Sequence, residues 1–205
     1  TTNPTRMVVN GGKLHLSSGC IKSSGGRNKS VALAVSSGGS VEISGGSILS
    51  EDTGSQSSAI TMRSSSGSVS ISGGLVRSSE GIGIQMNGGS LSLSDGTVEG
   101  KYTGIDIYAS NRGTLSISGG TVNSTANTGN ALHRRDKSTV SLTGGQFKGG
   151  ETSVKNESGP VSQMLAKGYA FQREGVDVSD ASANTLTRTV TVVPLPLHFA
   201  EQPQN

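Results

Sequence analysis

Three observations predict an all-β fold, a right-handed parallel β-helix of about six coils with a small C-terminal α+β cap. One octapeptide is written six times, its apolar residues alternate, and a glycine closes every copy. The copies are LHLSSGCI from Leu14, VEISGGSI from Val41, VSISGGLV from Val69, LSLSDGTV from Leu91, LSISGGTV from Leu115 and VSLTGGQF from Val140. Their closing glycines, Gly19, Gly46, Gly74, Gly96, Gly120 and Gly145, are 27, 28, 22, 24 and 25 residues apart, so the step varies while the motif does not.

Alternation with a period of two is a strand signal, because successive side chains point to opposite faces. The glycine that follows predicts a corner, where a backbone without Cβ turns most easily. Each unit carries a second short strand introduced by a small residue: Ala32-Leu33-Ala34-Val35, Ala59-Ile60-Thr61-Met62, Gly83-Ile84-Gln85-Met86, Gly104-Ile105-Asp106-Ile107 and the weaker Ala131-Leu132-His133. A single coil of this kind cannot bury its few aliphatic side chains alone. Stacked at roughly 4.8 Å, coils pair their strands above and below and line up like residues in columns. Leu14, Val41, Val69, Leu91, Leu115 and Val140 form one inward column; Leu16, Ile43, Ile71, Leu93, Ile117 and Leu142 form the next. A third, beyond the corner, holds Ile21, Ile48, Val76, Val98, Val122 and Phe147.

Composition agrees. Only 31% of the 205 residues are hydrophobic and 3% aromatic, too few for a wide globular core but enough for a narrow aliphatic one. A helical bundle is excluded by the period of two and the frequent glycine. A β-sandwich would show longer strands and less similar motifs.

Residues 1–159 are therefore assigned to the β-helix, with Met7-Val8-Val9 closing an incomplete first coil. The pattern decays at Arg134, which stands where an apolar residue is expected, and in the coil ETSVKNESG after Gly150. Residues 160–193 are read as a cap. Pro160 precedes Val161, Met164 and Leu165 at helical spacing, and Thr185 to Pro194 is expected to form one strand pairing with Gly168 to Phe171. Residues 194–205 are read as a linker or tail.

A net charge of +3 without a long basic run gives no footprint for nucleic acid. Cys20 is the one cysteine, so no intrachain disulfide forms. No apolar run reaches the length of a membrane span, and direct membrane insertion is not expected. The chain starts at Thr1, which reads as a piece of a longer protein.

Four outward features could carry chemistry. Thr61, Gln85, Asp106 and His133 share an outward column, and Asp106 beside His133 is a candidate acid/base pair, although no second carboxylate accompanies it. Arg77 and Glu99 are neighbours in another column and read as a surface ion pair. The densest basic patch is His133, Arg134, Arg135 and Lys137, with Arg112 one coil earlier; it is a candidate site for an acidic glycan or sulfate. Tyr102 and Tyr108 are the solenoid's candidates for stacking on sugars. The candidate ligand-binding set is Arg112, His133, Arg134, Arg135, Lys137, Asp106 and Tyr108, with no metal, cofactor or assigned catalytic residue.

The repeat, of the form V-x-I-S-G-G-T-V followed by G-I-x-I, resembles the Gly/Ser-rich parallel β-helix repeats of large extracellular bacterial surface proteins, including adhesins of Gram-positive bacteria. The stretch from Val161 to Val193 resembles a segment that follows such repeats. The resemblance implies a non-catalytic binding, adhesion or display-stalk module that is secreted or held at the cell surface, in the wall or outer envelope. Its partner would be a host surface protein or a glycan, acidic if the basic patch engages it. The alternatives are a polysaccharide-active lyase or hydrolase and a phage tail-spike segment, which share the architecture.

Overall fold

The computed structural model describes residues 5–108, 113–180 and 182–196. Strands form where the sequence alternates, and each pairs in parallel with the equivalent strand of the next unit, giving a β-solenoid of about six turns. The coil has three faces. The first consists of Thr5–Asn10, Val31–Ser36, Ser58–Met62, Ile82–Met86, Thr103–Ile107, Asn130–Arg134 and Thr152–Asn156, stacked in chain order. The octapeptides supply the other two, as in Ser40–Ile43 and Ser47–Glu51. In two coils the strand runs on through the corner, over Ser68–Ser78 and Gly89–Gly100.

Glycine is required at that corner for two reasons. Gly74 and Gly120 have φ of 80° and 74°, a region unfavourable to side chains. A Cβ at Gly74 would also stand 2.7 Å from the carbonyl oxygen of Gly46, one coil below, and one at Gly120 would stand 2.8 Å from that of Gly96. Stacking, and not only turning, forbids a side chain there.

The inward columns are in register throughout. Leu91 lies between Val69 and Leu115, Leu93 between Ile71 and Ile117, and Val98 between Val76 and Val122. On the first face Leu33, Ile60, Ile84, Ile105, Leu132 and Val154 form a further column. All six are fully buried, and each such side chain contributes about 1.5 to 3 kcal/mol. A buried carboxylate joins this interior. Asp52 accepts hydrogen bonds from the Gly26 N–H at 2.7 Å, the Ser50 hydroxyl at 3.2 Å and the Ser23 hydroxyl.

The C-terminal segment closes the columns that end at Val154, Phe147 and Leu142. Leu186 pairs with Val154, Val190 with Phe147, and Leu165 bridges to Leu142. Phe171 meets Phe147 edge to face at 6.3 Å between ring centroids, adding the bulk that aliphatic residues cannot. These cap strands run antiparallel to the coil, so the parallel stack stops at them.

Two expectations for the cap need correction. The helix is a single 3-10 turn, Val161–Met164, and not an α-helix, because Leu165 returns to extended backbone to reach Leu142. The expected strand from Thr185 to Pro194 is split at Arg188, whose φ is 60°, into Thr185–Leu186 on the first face and Val190–Pro194 against Gln146–Lys148 and Tyr169–Arg173. One straight strand could not cover two faces. The reading of 194–205 as a linker falls mostly outside the described residues. The expected Arg77–Glu99 ion pair does not form either; the two are register neighbours, but the Glu99 carboxylate accepts a hydrogen bond from Asn123 at 2.8 Å.

Ile117→Asp places an unpaired carboxylate in a fully buried column. It is expected to cost about 3 to 5 kcal/mol, enough to remove the cooperative thermal transition followed by circular dichroism. A variant melting like the wild type would contradict the inward assignment.

Candidate functional site

Polar and aromatic side chains gather on the outer side of the first face. One outward column runs Ala34, Thr61, Gln85, Asp106, His133 and Lys155, in register. The residues just past these strands form a wall: Arg63, Asn87, Tyr108, Arg135 and Glu157. Their backbone N–H groups donate to the preceding coil at 2.9, 2.9, 2.9, 3.1 and 2.8 Å, which fixes the wall one residue per rung. Lys29, Gln56 and Tyr102 build the opposite wall where the strands begin. Between the walls lies an open groove of about 960 Å³, floored by Val31, Ile82, Thr103, Thr61, Gln85 and Asp106. Its size suits a short stretch of an extended polymer.

Tyr102 and Tyr108 immediately flank the same strand, Thr103–Ile107, so an aromatic ring stands on each wall of one coil. They are 39% and 58% exposed, unusual for large apolar surface in this chain. Each ring lies beside a cation: Lys101 is 5.7 Å from the Tyr102 centroid and Arg135 is 5.5 Å from that of Tyr108.

The candidate cluster is divided by the fold. Arg135 donates from Nε and Nη2 to the two oxygens of Asp106 at 2.8 and 3.2 Å, a bidentate pair holding a carboxylate that is only 3% exposed. His133, equally buried, is 2.8 Å through Nε2 from Glu157, which Lys155 also meets at 2.9 Å. Its Nδ1 lies 3.8 Å from Asp106 and has no hydrogen-bond partner. That geometry fits the neutral tautomer with its proton on Nε2, so Asp106 and His133 do not form the close acid/base pair that their neighbouring positions suggested. Arg134 points the other way, in the inward column between Ile107 and Asn156, and burial lowers its pKa. Lys137 is exposed at the bend beyond the strand, outside the groove lining. Arg112 lies outside the described residues. Asp106, Tyr108 and Arg135 therefore come together in the groove, and of the basic patch Arg135 is compensated there by Asp106.

Several groove residues were not among the sequence-based candidates, Lys29, Gln56, Arg63 and Asn87 among them. The signal for Arg63 was available, since it follows the second strand at the same step as Tyr108 and Arg135. Lys29 and Gln56 sit in loops of unequal length, where no periodicity aligns them. Among the described residues no cluster of three His, Cys, Asp or Glu could hold a metal ion, and no helix is long and apolar enough to cross a membrane. No protein-family model matches the chain, and neither a curated protein nor a solved structure does.

Burial is the main cause that lowers the His133 pKa below its ordinary 6.5, against the opposing hydrogen bond to Glu157. The native state resists a proton that the unfolded chain accepts, so stability is highest with His133 neutral and declines as the pH falls below about 6.5. His133→Gln is expected to flatten this part of the profile, measured as melting temperature against pH. An unchanged profile would show that His133 does not titrate differently on folding. Arg135→Ala leaves a buried Asp106 without its cation and is expected to cost about 1 to 3 kcal/mol in chemical denaturation; no loss would mean that the pair carries no net stabilisation.

Proposed function

We propose that the chain is a non-catalytic binding module of a bacterial surface protein, secreted or held at the cell envelope, that takes an extended glycan in the groove of its first face. The observation that carries this reading is the tyrosine pair, one ring on each wall of a single coil, above a floor of hydroxyl, amide and carboxylate groups. Aromatic faces stack on the apolar faces of sugars, and the polar floor supplies hydrogen bonds to their hydroxyls. The solenoid's backbone ladder holds both sets in place before a ligand arrives, which lowers the ordering cost of binding.

The alternative of a polysaccharide-cleaving enzyme is less well supported. Hydrolysis in the usual two-carboxylate manner needs an acid and a second carboxylate facing the same bond. Of the groove-lining residues, Asp106 is the carboxylate, and Arg135 engages both of its oxygens. A host protein as partner would have to insert a narrow segment between the walls, whereas a polysaccharide chain already has the shape of the groove.

A glycan array probed with the chain tests the reading. Retention without release of oligosaccharide is expected, and Tyr108→Ala should weaken it roughly tenfold. Cleavage products in the supernatant would favour the enzyme, and retention insensitive to both Tyr102→Ala and Tyr108→Ala would place the ligand elsewhere.

A further inference from the structure

We propose that the groove selects an anionic glycan and reads its carboxylate or sulfate at the end formed by Arg63 and Lys29, which stand on coils two and three rungs away from the tyrosines, and not at the cluster around Arg134 and Arg135. This rests on the reading of the groove as a glycan site and adds the chemistry of its ligand.

The argument is one of charge compensation. Three cations line the groove: Lys29, Arg63 and Arg135. Arg135 is bound on two of its nitrogens by Asp106, so together they present little net charge to a ligand. Arg63 donates only to a neutral partner, the Thr5 hydroxyl at 2.9 Å, and among the described residues neither it nor Lys29 has a carboxylate within ion-pair distance. Both are exposed. Several surface cations are balanced by neighbours one coil away, as Lys13 is by Glu42, Lys22 by Glu51 and Lys101 by Glu80, each at 2.7 Å or less; of the described cations without such a partner, which include Arg77 and Lys148, only Lys29 and Arg63 line the groove. Arg63 is rooted on one wall, but its guanidinium reaches Thr5, the register neighbour of Val31, on the side of Lys29; two unbalanced cations at one end of a groove form a positive mouth, where low-dielectric walls concentrate the field.

The spacing gives the groove a direction. Arg63, Asn87 and Tyr108 follow Met62, Met86 and Ile107, which are register neighbours, so the backbone of Arg63 is two rungs from that of Tyr108, roughly 10 Å, and its side chain extends further from the tyrosines to Thr5. A linear chain lying along the solenoid axis would stack one sugar between the tyrosines and present an acidic group of a sugar further along to Arg63, with Asn87 and Gln85 meeting hydroxyls between them. Arg63 can take a carboxylate or sulfate through two parallel N–H donors.

The test uses three immobilised linear oligosaccharides of equal length: a hexuronic acid oligomer, a sulfated hexose oligomer and the neutral hexose oligomer. The wild-type chain is expected to bind at least one anionic oligomer roughly tenfold more tightly than the neutral one, with a preference that shrinks as salt rises. Arg63→Gln combined with Lys29→Asn, chosen because Lys29 has φ of 66° and Asn tolerates that region, should abolish the preference while neutral binding persists. Lys148→Ala, which removes one positive charge on another face, should leave the preference intact. Equal binding of all three oligomers by the wild type, or a preference that survives the double variant with its fold intact by circular dichroism, overturns the inference but leaves glycan binding standing. Failure to retain any of the three overturns both.

Discussion

Every feature of this molecule depends on backbone pairing between coils at a spacing of about 4.8 Å. At that distance the neighbours of a side chain along the axis are its equivalents above and below, so each inward position must hold a residue that packs on one like itself. Leu91 on Val69 and Leu115, and Val98 on Val76 and Val122, are the direct consequence. The glycine corner obeys the same constraint: its carbonyl oxygens occupy the place where the next coil's Cβ would be. A low hydrophobic content suffices because the bore is only as wide as the side chains that fill it.

The same spacing turns the surface into a ruler. Outward residues also fall on their equivalents, so one substitution per coil writes a linear pattern of chemistry along the axis. On the first face the wall reads Arg63, Asn87, Tyr108, Arg135, Glu157, changing from cation to amide, aromatic, cation and anion over five rungs. On the second face serine recurs in the column Ser70, Ser92, Ser116 and Ser141, whereas the third carries the mixed column Lys22, Leu49, Arg77, Glu99, Asn123 and Lys148. The first face, with the less uniform motif, is free to vary outward as long as Leu33, Ile60, Ile84, Ile105 and Leu132 remain inward.

Ending the stack is a separate problem. A parallel coil always presents unpaired N–H and C=O groups to whatever follows, and an exposed strand edge invites association. Here the C-terminal segment crosses the end with antiparallel strands, and contributes Leu186, Val190, Phe171 and Leu165 to close the inward columns. The kink at Arg188 lets one short segment serve two faces.

The sequence by itself determined the strands, the glycine corners, the register of the three octapeptide columns and the outward column holding Asp106 and His133, because period-two alternation and repetition encode position along and around a coil. It also placed Arg134 at an inward position and Gly168 to Phe171 against the stretch Thr185 to Pro194. The tertiary structure alone decided what varies in loops and between partners. Lys29 and Gln56 enter the groove from loops whose lengths differ, so no repeat locates them. The direction of a side chain's hydrogen bond is equally invisible: Glu99 could have met Arg77 or Asn123, and Arg135 could have pointed to solvent instead of Asp106. Such choices rest on ångström-scale distances between groups remote in the chain, whereas a repeat specifies only which residues are neighbours.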